Sequence, residues 1–246
     1  MPNFVQNKIK VFDIESFNRL IDGICVLNTT TGKMKVDFDK VIKMPDEIRN
    51  VSWGSDCIKG LALFFAAINS SNPLICNRKK VTIKEYNKLK QAVIQHGYVG
   101  KKEIFEDDIC LLLCKESNRK EKLLQIGERC ISNLLKYNAY SWYDWSIDNW
   151  GTKWNAFDTF IEHSRKTISF FTAYCSPTPV VLKASQILGR NKVLYKYVPE
   201  EPRFSSEYWV LENGHIIERG NHEQLLAEKG KYYQLYTGNA IEKQED

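Results

Sequence analysis

The chain lacks most of the features that would tie it to a membrane, a metal or a nucleotide. Its longest apolar run, Leu61 to Ile68, falls far short of the about 20 residues a spanning helix needs. The opening Met1-Pro2-Asn3-Phe4 passes directly into an alternating segment, without the apolar stretch and small-residue cleavage site of a secretory signal. A cytoplasmic location with no membrane partner is therefore expected. The 7 cysteines are odd in number and show no Cys-x-x-Cys spacing, so buried, reduced thiols are expected rather than zinc ligands or disulfides. Of the 4 histidines only His215 and His222 are near neighbours, and no His-Glu-x-x-His occurs, which leaves no metal site to expect. There is also no Gly-x-x-x-x-Gly-Lys-Ser/Thr loop, whose backbone N–H groups would cradle a nucleotide's phosphates. Neither a cofactor nor a catalytic activity is expected.

What is present is ordinary globular material. Hydrophobic residues make up 43% and charged residues 26% of the 246 residues, enough to bury a core without metal or disulfide support. The net charge of +5 is unevenly spread: 12 basic and 7 acidic residues lie between Asn77 and Lys122, and that segment holds the whole excess. Arg78, Lys79, Lys80, Lys84, Lys88, Lys101, Lys102, Arg119 and Lys120 are the candidates there for contact with nucleic acid or an acidic partner, because clustered cations release counterions from phosphates. A solvated, lysine-rich helix surface is the competing reading.

Periodicity divides the chain. Val5, Asn7, Ile9 and Val11 alternate with polar neighbours as in a half-buried strand, and Ile14, Phe17, Leu20, Ile21 and Ile24 then mark one stripe of a helix. Thr29 to Lys33 reads as a turn, Val36 to Pro45 as extended chain, and Asp56 to Ile68 as a helix stopped by Asn69-Ser70-Ser71-Asn72-Pro73. From about Pro73 to Tyr137 the pattern is helical, with Tyr86, Leu89 and Val93 on one stripe and Leu123, Ile126, Cys130, Ile131 and Leu134 on another. Ile168 to Cys175 and Val193 to Val198 read as strands, separated by a helix that opens at Pro179 and stops at Gly189. Asn213-Gly214 is a hairpin signal between the strands Tyr208–Leu211 and His215–Glu218. A last helix, Asn221 to Tyr236, should break at Gly230.

The candidate binding residues cluster after residue 140. Trp142, Trp145, Trp150 and Trp154 place four of the 6 tryptophans in one short span; such rings can stack a base or a partner's side chain, while packing is expected of Trp150 and Trp154. Lys153 and Asn155 would point away from those rings if the segment is a strand, as the polar members of a ligand groove. Phe170 and Tyr174 would share one strand face and Phe171 the other, with Tyr195 and Tyr197 sharing a face of theirs; an aromatic platform of that kind binds RNA unless another element covers it, and covering is the expectation. Asp144 and Asp148, four apart, would share a helix face, either as an acid–base or metal-holding pair or as its solvated side.

The run Ser141-Trp142-Tyr143-Asp144-Trp145-Ser146-Ile147-Asp148-Asn149-Trp150-Gly151-Thr152-Lys153-Trp154-Asn155-Ala156 completes an ordered set with Met1–Asn7, Asp37–Pro45 and Thr172–Pro179. Together these closely resemble the YubB-type ferredoxin-like family of phage and plasmid proteins. The resemblance implies an α+β fold: a ferredoxin-like βαββαβ antiparallel sheet with strands near Phe4, Trp154, Phe170 and Tyr195, carrying an all-helical insertion and followed by a C-terminal β-hairpin plus helix. The corresponding division is 1–72 and 138–200 for the ferredoxin-like domain, 73–137 for the insertion and 201–246 for the tail. No catalytic residue comes with the resemblance, since shape does not fix function. A non-catalytic mobile-element accessory protein is expected, acting by binding a host protein or ribonucleoprotein complex, for instance as an inhibitor of a bacterial defence system such as a CRISPR effector; direct DNA or RNA binding through the basic insertion is the alternative. Separately, Val210 to Leu226 with Gly230 and Tyr233 resembles the end of an ABC-transporter ATPase domain, although without a phosphate loop it reads as a common hairpin-plus-helix.

Overall fold

The computed structural model describes residues 3–51, 54, 56, 57, 59–61, 64, 119–200 and 205–238. The chain forms two compact units, one of residues 1–43 and 146–246 and one of 44–145.

The first unit is built on a six-stranded antiparallel sheet. Strand β1 (Phe4–Lys10) leads through α1 (Ile14–Ile24) to a small hairpin, β2 (Cys25–Asn28) and β3 (Lys33–Val36), and a single-turn helix α2 (Phe38–Val41). After the second unit come β4 (Phe157–Glu162), β5 (Thr167–Ala173), α6 (Thr178–Ile187), β6 (Val193–Pro199), β7 (Glu207–Glu212), β8 (His215–Gly220), α7 (His222–Glu228) and α8 (Lys231–Thr237). The strand order is β4-β5-β1-β6-β7-β8, and every adjacent pair runs antiparallel. Taken alone, β1, β4, β5 and β6 with α1 and α6 have the expected ferredoxin-like βαββαβ topology. The hairpin β7–β8 extends that sheet beyond β6.

One face of the sheet is backed by helices. Val5, Asn7 and Ile9 of β1 are buried on it, as the alternation requires, together with Phe170, Tyr195, Phe17, Leu20, Ile24, Val180, Val181 and Ala184. Asp13 caps α1 by accepting from Ser16 N at 2.7 Å, which leaves Ile14 at the helix entrance and exposed, off the buried stripe it was expected to join. At its start α6 has Pro179 in the first turn, and Gly189 follows its end at φ 61, both as expected. A polar network runs through this core. Asn7 Nδ2 donates to Thr172 Oγ1 at 2.9 Å and to Val5 O at 3.0 Å, Tyr195 Oη donates to Asn7 Oδ1 at 2.6 Å, and Ser176 Oγ lies 2.7 Å from the same hydroxyl.

The other face is divided. Over β6–β8 it is covered by α7 and α8, where Leu194, Val210, Leu225 and Tyr232 form a buried cluster with Phe12, Tyr208, Leu226 and Leu235 packed around it. Each large side chain so buried is worth roughly 1.5–3 kcal/mol. Asn213 and Gly214 turn the β7–β8 hairpin with φ 47 and 82, the left-handed pair a type I′ turn needs. A capping box between Asn221 and Gln224 starts α7, and Glu218 starts α8 by accepting from Lys231 N and Tyr232 N at 2.5 and 2.7 Å. The break at Gly230 falls where the sequence places it.

Two sequence expectations are corrected here. The segment Val36–Pro45 is not extended throughout, because Asp37 accepts from Asp39 N at 3.0 Å and caps α2, so that Phe38 is buried against Trp150 and Phe170. The strand expected near Trp154 begins only at Phe157. Gly151, at φ 78, turns the chain out of the preceding helix, and Asn155 ties the next residues to α2, so 151–156 remain irregular.

Within the second unit, α3 (Asp46–Arg49) and α4 (Lys120–Tyr137) are helical, as are the described residues among 56–64. Cys57, Leu61, Cys130, Ile131, Leu134 and Tyr140 form its buried cluster. Here Gly60 and Gly127 let two backbones meet: a Cβ on Gly127 would lie 2.0 Å from Gly60 O. A further helix, α5, spans Trp142–Trp150.

Candidate functional site

The half of the sheet formed by β4, β5 and β1 carries a run of aromatic rings on the face opposite α1 and α6. Phe171 lies opposite Gln6 of β1 and opposite Phe157 of β4, so its ring projects from the face opposite α1 and α6. Phe157 stacks on Phe171 at 6.0 Å between centroids with an interplanar angle of 23°, and Phe4 meets Phe157 edge-on at 5.1 Å. A register shift between Phe157 and Phe160, with Asp158 at φ 47, places Phe160 opposite Ser169 and hence on the same face as Phe157. Phe160 is 64% exposed. An apolar ring that open to water contributes nothing to a core.

Cations alternate into the same face. Lys8 lies opposite Ser169 on β5 and opposite Lys196 on β6, so two lysines are directly paired across adjacent strands. Directly opposed like charges destabilise a sheet, so the fold alone gives no reason for them. Lys196 is spread over the Tyr208 ring at 4.9 Å, at the border of the covered half. Together these side chains make a flat, half-apolar, basic strip of the kind that stacks planar rings and neutralises phosphates.

The structure scatters the residues singled out from sequence. Phe170 is 1% exposed and belongs to the helix-side core, while Tyr174 lies beyond the end of β5 at φ 68 and is 54% exposed, so the two do not share a face. Tyr195 and Tyr197 do share a face, but it is the helix side: burial pushes both phenols up, Tyr197 to about 12 with help from its hydrogen bond to Glu207. Asn155 is a structural tie, its Oδ1 accepting from Phe38 N and Ala156 N at 2.8 Å and its Nδ2 donating to Asp37 at 2.7 Å. Lys153 lies over Trp154 at 4.9 Å, and because no strand forms there the two do not occupy opposite faces. Trp150 is buried and donates to Ile42 O at 2.9 Å, as packing requires, whereas Trp154 is 39% exposed and does not pack as expected. Trp145 is buried, and Trp142 packs edge-on to Tyr143 at 5.9 Å.

Asp144 is buried and accepts from Ser141 Oγ at 2.9 Å, a bond that closes the start of α5, while Asp148 is exposed. Of the basic candidates, Arg119 pairs with Asp56 at 2.5 Å. Arg78, Lys79, Lys80, Lys84, Lys88, Lys101 and Lys102, and the side chain of Lys120, lie outside the described residues, as does the stripe of Tyr86, Leu89 and Val93. Among the described residues no group of three or more His, Cys, Asp or Glu is placed to hold a metal ion, and no helix is long and apolar enough to cross a membrane. The thiols of Cys25, Cys57 and Cys130 are free and buried, and that of Cys175 is free and exposed. Sequence reasoning missed Phe157 and Phe160. Their spacing of three is wrong for a regular strand face, and only the bulge at Asp158 reconciles it.

No family model matches the sequence. Among curated proteins the chain is 39% identical over 59 residues to a probable multidrug resistance ABC transporter ATP-binding/permease protein, YheH, of Bacillus subtilis, which covers 23% of this chain and 9% of that protein. Two serine protease/ABC transporter B family proteins of Dictyostelium discoideum, tagB and tagD, are 35% and 37% identical over 49 residues, or 20% of this chain and 3% of either protein. The chain thus spans less than a tenth of the length of these relatives. Among solved structures, the protein api92 from Yersinia pseudotuberculosis, of the DUF1281 family, aligns over 90% of this chain and 98% of its own, with a TM-score of 0.37 and 10% identity.

Proposed function

We propose that this chain acts by binding rather than by catalysis, and that the β4–β5–β1 half of its sheet, on the face opposite α1 and α6, holds a single-stranded nucleic acid. The observation that carries this reading is the run Phe4, Phe157, Phe171 with the exposed Phe160, set beside Lys8 on the neighbouring strand. Rings on β4 and β5 offer stacking surfaces for successive bases, and Lys8 and Lys196 supply charge for the backbone between them. Stacking accepts any base, so sequence preference should be weak. For a mobile-element accessory protein, the same face would engage the nucleic acid of a host ribonucleoprotein such as a CRISPR effector.

The test is fluorescence anisotropy with short single-stranded DNA and RNA at two salt concentrations. Phe171→Ala should weaken binding about ten-fold, within the roughly 1–3 kcal/mol measured per stacked base. Lys8→Gln should flatten the salt dependence. Wild-type affinity that is unchanged by Phe171→Ala and Phe160→Ala together would refute the reading.

A further inference from the structure

The basic strip ends in a concavity. Where β1 leaves the sheet and the turn between β4 and β5 closes beside it, Lys8, Lys10, Arg165 and Lys166, with Ser164 and Thr167, line a cleft of about 420 Å³. Val11 N donates to Lys166 O at 3.2 Å and holds its two walls together. Lys166 stands at φ 50, a left-handed conformation that a lysine adopts at some cost. Lys10 lies 5.3 Å over the Phe12 ring, and Phe12 is itself packed on the α7–α8 cluster, so that wall is backed by buried structure.

Among the described residues no carboxylate is part of the lining. Glu162 borders it, with its carboxylate 3.2 Å from Arg165 and accepting from Thr167 Oγ1 at 3.4 Å; the Arg165 and Glu162 side chains are both well exposed to water. Four cations around one small space are more than a single phosphodiester, with one negative charge, would balance. Repulsion among them is relieved best by a compact dianion, and the Ser164 hydroxyl with the guanidinium N–H groups not turned to Glu162 add donors for phosphate oxygens.

We propose that this cleft holds a phosphate monoester, the terminal phosphate of the strand that lies on the sheet. The proposal rests on the single-strand reading and gives it an end and a direction. Phe171 lies opposite Gln6, and Lys10 lies four residues further along β1, about 14 Å away at 3.4 Å per residue. A strand whose end is anchored in the cleft therefore passes over the rings within its first few nucleotides.

The experiment compares one short oligonucleotide with a 5′-phosphate, with a 3′-phosphate and with neither. One of the two phosphorylated forms should bind about ten-fold more tightly than the form with none, equivalent to 1.4 kcal/mol. The double variant Arg165→Gln/Lys166→Gln should lose that gain and keep the affinity for the unphosphorylated strand. If the bare strand binds and neither phosphate adds affinity, the cleft proposal is overturned while the single-strand reading stands. If no oligonucleotide binds, the thermal shift with inorganic pyrophosphate decides. A rise in Tm for the wild type and none for the double variant upholds a phosphate site independent of nucleic acid; equal or absent shifts overturn it.

Discussion

Replacing Tyr195 with phenylalanine removes one hydroxyl from the centre of the polar network without opening a cavity. That hydroxyl donates to Asn7 Oδ1 at 2.6 Å and lies 2.7 Å from Ser176 Oγ. Tyr195, Asn7 and Thr172 are all fully buried. In Tyr195→Phe the Asn7 carbonyl oxygen has no donor in reach, because its amide nitrogen remains held by Thr172 and Val5; Ser176, which is only half-buried, can turn to water. The loss is then one orphaned buried acceptor, about 1–3 kcal/mol. At roughly 2–4 °C per kcal/mol for a chain of this size, the central value of about 2 kcal/mol lowers Tm by about 4–8 °C. Tyr197→Phe is the control, since its hydroxyl bonds Glu207 near the surface and its loss should cost about 1 kcal/mol or less. Thermal unfolding followed by tryptophan fluorescence measures both. Equal effects of the two variants, or a Tyr195→Phe protein as stable as the wild type, would refute the claim that this network is satisfied and closed.

Gly127→Ala places a Cβ 2.0 Å from Gly60 O, so the two helices of the second unit must separate; about 1–3 kcal/mol of destabilisation is expected in urea titrations. The Glu47 carboxyl is held down at about 2, first by its bond to Lys136 at 2.9 Å, so its contribution to stability is present above the ordinary carboxylate range and is lost as pH falls from about 4.5 towards 2. An acid titration of Lys136→Met should lack that part of the transition. Burial raises the Cys25 thiol to about 12, whereas Cys175 is exposed, so iodoacetamide at neutral pH followed by peptide mapping should find Cys175 modified well before Cys25. Equal labelling of the two would contradict the burial of Cys25.

Local rules written into the residues decided much of this chain. The alternation of Val5, Asn7 and Ile9 fixed which side of β1 is buried, and Asn213-Gly214 fixed a hairpin because two consecutive left-handed residues are cheap only there. Pro179 and Gly230 set helix ends for equally local reasons, a fixed φ in one case and a missing side chain in the other. The candidate site was far less legible. Phe170 and Phe171 are neighbours with the same ring, and which one meets solvent depends on the partner strands and on where the helices lie. Asn155 looks like a free polar side chain until the chain folds it back onto Asp37 and Phe38, 118 and 117 residues away in sequence. The bulge that aligns Phe160 with Phe157, and the α7–α8 cover that stops at β6, depend on pairing and burial between distant segments. Periodicity records what each segment prefers by itself, and only the assembled sheet determines which side chains from distant strands share a face.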